Sequence, residues 1–185
     1  MMHMRLSGII LAAAAVAASA ALAQVKQEQP TSALKGHNTN APVDVTADRI
    51  EVQERADRAV FSGNVHATQA DLTLDTPRLT VAYATAEGSG GNVQIKRLDA
   101  AGGVVVRDPS ETARGDFGVY DLDRKLITLI GNVQLTRDNN QVNGSRLVID
   151  LNSGRAVIDG GPPGVNSSGG RVTGHFTVPQ QQQKK

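Results

Sequence analysis

The sequence predicts an all-β protein: an antiparallel β-jelly-roll or curved, elongated sandwich built from repeated hairpins. Three observations lead there. The segment Phe61-Ser62-Gly63-Asn64-Val65-His66-Ala67-Thr68 returns as Leu129-Ile130-Gly131-Asn132-Val133-Gln134-Leu135-Thr136, at a constant offset of 68 residues and without a gap. Over Phe61 to Val81, six of 21 positions are identical to their counterparts (Gly63, Asn64, Val65, Thr68, Arg78 and Leu79), so one structural unit is used twice. Repeated units stack to bury a continuous core that no single unit could bury. Apolar and polar residues also alternate with period two along most of the chain, the pattern of strands with one buried and one wet face. Finally, turn-forming clusters punctuate these runs at a spacing of roughly 8–15 residues, which suits a meander of hairpins.

Residues 1–23 read as a secretory signal peptide. Arg5 forms a short basic start, Leu6 to Leu22 is apolar and rich in Ala, and Ala21-Leu22-Ala23 is a cleavage box. The expected product is an exported, periplasmic chain cut after Ala23. Residues 24–42 are polar, contain two prolines and lack periodicity, so they read as a flexible linker. The folded domain is expected over residues 43–178. Pro179 to Lys185, with four consecutive glutamines and two lysines, reads as a disordered polar tail.

Within the domain the elements follow in order. Ile50 and Val52 alternate with Glu51 and Gln53 in a first strand that ends at the turn Glu54-Arg55-Ala56-Asp57. Phe61 and Val65 belong to the next strand, which Gly63-Asn64 interrupts. Leu72 and Leu74 form a short strand, Asp75-Thr76-Pro77 reads as a turn, and Leu79 and Val81 open the following strand. Gly88-Ser89-Gly90-Gly91 is a hairpin connection. Ile95 to Val104 forms a middle strand with Gly102-Gly103 inside it, and Asp108-Pro109 closes it. Phe117 and Val119 come next, then the turn Asp121-Leu122-Asp123-Arg124. Ile127 and Leu129 continue across Gly131-Asn132 into Val133 and Leu135, and Asp138-Asn139-Asn140 turns the chain towards Leu147 and Ile149. Asn152-Ser153-Gly154 and Gly160-Gly161-Pro162-Pro163 precede a last strand near Arg171 to Val178. The three pairs Gly63-Asn64, Gly102-Gly103 and Gly131-Asn132 lie inside strands, where glycine marks a bulge or bend; kinks at related points curl a sheet around itself.

Composition excludes several function classes. Removing the leader removes one basic residue and no acidic one, leaving 18 basic against 18 acidic residues, so there is no basic excess for nucleic acid. The absence of cysteine excludes thiol catalysis, disulfides and cysteine-metal sites. Aromatic residues make up 3%, with no Trp, so stacking platforms for sugars are scarce. His66 and His175 have no partner at ligand spacing, and the carboxylates Asp48, Asp71, Asp75, Asp116 and Asp150 sit at polar strand or turn positions. No nucleophile motif is present. The reading is a non-enzymatic protein without a metal or cofactor.

The chain resembles a known family through the order of its motifs. Ala47-Asp48-Arg49-Ile50-Glu51-Val52, Ala59 to Val65, Leu72-Thr73-Leu74 and Arg78-Leu79-Thr80-Val81 are similar to the OstA-type domain. Ile95 to Val104, Ala113 to Asp121 and Ile127 to Val133 repeat the pattern, so the resemblance covers about Val43 to Asp159. It implies a jelly roll of V-shaped section with an apolar interior that binds the lipid A acyl chains of lipopolysaccharide or a related glycolipid. The leader and the length select the LptA-like soluble bridge within this family. It further implies an LptC-like partner at the N-terminal edge strand, near Val43 to Val52. An LptD-like partner is implied at the C-terminal edge, near Arg171 to Val178.

An apolar lining would come from the alternating residues of the repeated strands. In the first half these are Ile50, Val52, Phe61, Val65, Leu72, Leu74, Leu79 and Val81; in the second, Phe117, Val119, Leu129, Val133, Leu135, Leu147 and Ile149. The same inward residues serve equally as a packed core, because both roles need apolar side chains facing inwards. Arg49, Arg58, Arg78, Lys96, Arg97 and Arg146 would meet lipid phosphates at a rim, or stand as solvated outer charge. Unpaired edge strands invite strand addition and permit head-to-tail self-association. The alternative function is a structural scaffold of the envelope that uses its edges and holds no lipid.

Overall fold

The computed structural model describes residues 37–85, 93–161 and 170–177. The expected signal peptide, residues 24–36 of the expected linker, the Gly88–Gly91 connection and the expected tail lie outside the described residues. Ten strands form one antiparallel sheet: β1 (Val43–Thr46), β2 (Arg49–Gln53), β3 (Arg58–Gln69), β4 (Leu72–Thr85), β5 (Val93–Arg107), β6 (Glu111–Asp121), β7 (Leu126–Arg137), β8 (Asn140–Asp150), β9 (Arg155–Asp159) and β10 (Thr173–His175). The order runs β1–β3–β4–β5–β6–β7–β8–β10, with β2 also on β3 and β9 also on β8. Among the described residues the only helical turn is a 3-10 turn at Glu54–Ala56, and no helix is long and apolar enough to cross a membrane.

Each long strand is broken in register near its middle. The shifts lie between Ser62 and Val65 on β3, Asp75 and Arg78 on β4, Ala101 and Val104 on β5, Arg114 and Phe117 on β6, and Ile130 and Val133 on β7. A bulge bends its strand and strengthens the local twist. A line of bulges across neighbouring strands therefore folds the sheet into two halves. The three glycine pairs expected to kink are all on this line.

The repeat is reproduced in three dimensions. Adding 68 to the bounds of β3 gives those of β7, and the starts of β4 and β8 differ by the same step. Positive φ recurs at Asp57 and Lys125, Asn64 and Asn132, and Ala70 and Asp138. Tyr83 N–H donates to Asp57 O at 3.0 Å, and Leu151 N–H donates to Lys125 O at 3.0 Å. The same offset maps β1 onto the first half of β6 and β2 onto its second half. At the N-terminal edge, then, the strand is cut at the fold line. At the other edge β9 and β10 take the two halves of β8 in the same way.

The core lies between the two halves. Leu79, Leu129, Leu147 and Ile149 are 0% exposed, and Val65, Val104 and Val133 are nearly so. They belong to one cluster with Leu72, Val81, Leu98, Val106, Ala113, Tyr120 and Ile127.

Two expectations differ from the structure. Asp75-Thr76-Pro77 is not a turn but a bulge inside the continuous β4, where Thr76 Oγ1 donates to Ala101 O at 3.0 Å. A proline is tolerated in a strand at such a bulge. The expected linker also ends early: residues 37–42 are held against the domain by hydrogen bonds to Gln69.

Candidate functional site

The apolar interior is built by cross-strand rows. One row runs Ile50–Phe61–Leu79–Ala100–Gly118–Leu129–Leu147–Ile158, one residue from each neighbouring strand. The next runs Val52–Ala59–Val81–Leu98–Tyr120–Ile127–Ile149–Ala156. Across the fold line, Val45, Ala67, Leu74, Val106, Ala113, Leu135 and Val142 line the facing half. Because side chains alternate between faces, one apolar residue per row and strand is enough to make a continuous wall.

Most of the expected lining residues lie on this inner face. Val65, Leu72, Leu79, Val81, Leu129, Val133, Leu147 and Ile149 are buried, and Phe61, Leu74 and Leu135 pack partly buried against them. Ile50 and Val52 share the inward phase but remain 56% exposed, because β2 has no neighbour on its outer side. They form an apolar lip at the N-terminal edge.

Phe117 and Val119 are the exceptions. The bulge between Arg114 and Phe117 resets the phase of β6, so Gly118 and Tyr120 face inwards and Phe117 and Val119 face outwards. Phe117 is exposed beside its outer-face neighbour Ile130. Leu98, Val104, Val106, Ala113, Tyr120 and Ile127 belong to the interior instead. The run Val104-Val105-Val106 hides its alternation, and the small Ala113 carries little hydropathic signal. The repeat would have found Tyr120, since it is the counterpart of the expected Val52.

The halves meet tightly. A cavity of about 30 Å³ remains between them, lined by Val43, Ala67, Leu72, Leu98, Tyr120 and Leu129 among others. That is room for about two water molecules. An acyl chain would need the halves to part. An open depression of about 500 Å³ follows the bulges on the outer side, with Asn64, Asp75, Pro77, Gly102 and Gly103 in its walls.

At one end of the cavity the interior closes on polar groups. Tyr120 Oη donates to Gln69 Oε1 across the two halves at 3.0 Å. Burial pushes the Tyr120 phenol up to about 12, so it stays a neutral donor. Gln69, itself buried, donates through Nε2 to the carbonyls of Thr39 and Ala41, each at 3.0 Å.

Most charged residues lie on the outer face and the turns, and Glu111, at the start of β6, is buried. Arg97 pairs with Asp99 at 2.7 Å, Lys96 with Asp123 at 3.2 Å and Arg49 with Glu51 at 3.6 Å. Arg58 donates to Gln53 Oε1 at 2.6 Å. Arg78 and Arg146 are exposed, and among the described residues neither has a carboxylate within ion-pair reach. The aspartates do not converge. Asp48 accepts from Asn64 and Asp116 from Asn132, each at 2.8 Å, while Asp150 caps a turn at Asn152 N–H and Ser153. Asp75 is held by His66, at 2.7 Å, and by Arg107. Partial burial raises its carboxyl, but these two partners outweigh that and hold it below the usual range. Among the described residues no acidic or histidine cluster is suited to a metal.

The comparisons agree with this architecture. Residues 44–155 match the family model described as LptA/(LptD N-terminal domain) LPS transport protein. An uncharacterized protein of Rhizobium meliloti (strain 1021) is 30% identical over 164 residues, which span 86% of this chain and 82% of the relative. The crystal structure of LptH, the LptA homologous periplasmic component of the conserved lipopolysaccharide transport device from Pseudomonas aeruginosa, is similar with a TM-score of 0.64. At 18% identity, over 77% of this chain and 99% of LptH, that likeness is one of fold. By the extent of the family match, by the relative and by the motif order that its two halves share, the chain belongs to the LptA/LptD N-terminal domain family of lipopolysaccharide transport proteins.

Proposed function

We propose that this chain is a periplasmic bridge component that takes the acyl chains of lipopolysaccharide, or of a related glycolipid, between its two half-sheets and passes the lipid from inner towards outer membrane. The observation that carries the reading is the interior itself: an apolar wall repeated strand after strand, with an open sheet edge at either end. A wall of similar rows has no unique reacting point, which suits a ligand that slides. Each buried methylene contributes about 0.8 kcal/mol, so several acyl chains are held without strong polar contacts. The chain acts as a carrier and not as an enzyme.

The two cut edges are the docking places in this reading. An LptC-like partner adds to β1 and β2, where Ile50 and Val52 are exposed, and an LptD-like partner adds near β10, where Val172 and Phe176 are exposed. Exposed edges accept a strand from another chain by main-chain pairing. The same geometry supports head-to-tail homo-oligomers.

A photo-crosslinking residue placed at Leu79 or Leu147 tests the reading in cells. Glycolipid adducts are expected from these two positions and not from Thr80 or Val148, their outward neighbours. Adducts from the outward positions alone would exclude the interior route. The scaffold reading is favoured by one observation, the closeness of the packing around Leu79, Leu129 and Leu147. It predicts no adducts at any of the four positions.

A further inference from the structure

Residues 37–42 form a strap that runs to the start of β1 beside the polar end of the cavity. Its internal bonds are weak in number: Thr39 N–H to His37 O at 3.0 Å, Ala41 N–H to Asn38 O at 3.1 Å and Asn40 N–H to Asn38 Oδ1 at 3.1 Å. What holds it down is a cluster of side chains. Gln69 bonds the carbonyls of Thr39 and Ala41, and the His37 ring is inserted so deeply that only 1% of its side chain is exposed. His37 Nε2 lies 3.1 Å from Gln69 Oε1, and Nδ1 lies 2.9 Å from Asp71 Oδ1.

The protonation of His37 follows from these partners. Gln69 donates through Nε2 to two carbonyl oxygens, which can only accept, so the atom it turns to Tyr120 and His37 is its oxygen. That oxygen has two lone pairs, one for the Tyr120 hydroxyl and one for His37 Nε2–H. The other ring nitrogen faces a carboxylate, which also only accepts while ionised. The bond from His37 keeps Asp71 below the usual carboxylate range, against a smaller opposing effect of burial. Both ring nitrogens therefore have to donate, and only the imidazolium carries two N–H groups. A neutral ring would turn a lone pair onto one of the two oxygens, either the buried Gln69 Oε1 or the carboxylate of Asp71, whose side chain is 56% exposed.

We propose that His37 is a proton-operated latch that holds residues 37–42 across the polar end of the apolar interior. It engages while the ring is protonated and loosens when the ring becomes neutral. The latch goes beyond the lipid-carrier reading and operates without cargo. The titratable groups facing His37 are Asp71, on the turn between β3 and β4, and, through Gln69, Tyr120 of β6. Tyr120 stays neutral over the relevant range because burial pushes it up to about 12. Asp71 sets the acid limit: its carboxylate supports the latch above the usual carboxylate range and is lost only as pH falls through its lowered value. At the alkaline side the limit is loss of the second ring proton, which leaves one of the two facing oxygens without a donor.

The test is hydrogen exchange of the full chain without lipid, corrected for intrinsic rates and followed at Thr39 to Thr46. Between about pH 5.5 and about pH 8, protection is expected to fall about tenfold, the worth of one charge-assisted hydrogen bond. In His37→Gln and in Asp71→Asn that pH dependence is expected to vanish. His66→Gln, which alters a histidine on the outer face, should keep it. Nitrogen-15 spectra of the His37 ring should show two protonated nitrogens at the lower pH and one at the higher. Equal protection at both pH values, or a fall that survives in His37→Gln, would overturn the latch.

Discussion

The repeated motif is fixed at the bulge line by three residues in each unit. Gly63 has φ +78° and Asn64 φ +44°; Gly131 and Asn132 have +79° and +44°. Two successive left-handed residues reverse the pleat, and the Asn side chain secures the second by donating to Asp48 or Asp116. The first has to be glycine for two reasons: its φ is positive, and a Cβ there would strike the same aspartate carboxylate. Gly131→Ala is therefore expected to cost more than the ~1–2 kcal/mol of a left-handed alanine alone. Asn132→Ala is expected to cost about 1 kcal/mol, the net value of a hydrogen bond. Gly63→Ala and Asn64→Ala should match their counterparts, because the clamps have the same geometry. Urea midpoints at unchanged slope measure these costs. Additivity of Asp116→Ala and Asn132→Ala within about 0.5 kcal/mol in a double-mutant cycle would show that the pair is not coupled.

At the scale of the element, the strands at the two ends differ from the rest by being cut. Each inner strand crosses the fold line through a bulge, whereas β1 with β2 and β9 with β10 cover the two halves as separate pieces. A short edge strand offers few unpaired backbone groups, one means by which natural sheets limit aggregation. Ile50 and Val52 remain apolar and more than half exposed at such an edge. If the N-terminal edge docks a partner strand, Ile50→Lys with Val52→Lys should weaken head-to-tail association in sedimentation. It should leave the urea midpoint within about 0.5 kcal/mol of the parent, since exposed positions carry little stability. Retained association would move the docking edge elsewhere. Much of this architecture was legible in the sequence, because alternation, turn residues and the repeat all point to one sheet. What escaped has physical causes. The turn at Ala70-Asp71 carries neither glycine nor asparagine, though its counterpart Asp138-Asn139 does. Asp75-Thr76-Pro77 has turn chemistry but sits in a bulge. The outward Phe117 and Val119 keep the period of a strand, and only the register around the bulge decides which face they take. Residues 37–42 read as linker because the contact that orders them, from His37 to Gln69 32 residues away in sequence, leaves no local pattern.

For the molecule as a whole, the interior is apolar and almost full. The halves close on each other through Leu79, Leu129, Leu147 and Ile149 and are joined by the Tyr120–Gln69 hydrogen bond. In the proposed carrier role, lipid uptake would exchange protein–protein contacts for protein–acyl contacts, which are chemically alike, so the free-energy change of opening would be offset as each methylene enters. This exchange distinguishes a carrier from a scaffold with the same packing. Leu129→Ala leaves a void at the existing cavity and is expected to cost about 2–5 kcal/mol in the absence of lipid. In a carrier, an acylated glycolipid fills that void as well as the groove. A ligand that binds only the folded state stabilises it by about 2.7 kcal/mol at a hundredfold excess over Kd. The variant should then gain more from the lipid than the parent does, by up to about 0.8 kcal/mol for each extra methylene buried. Thermal unfolding of both proteins with and without glycolipid measures the difference. No gain in either protein, or equal loss on adding lipid, is the result a scaffold would give.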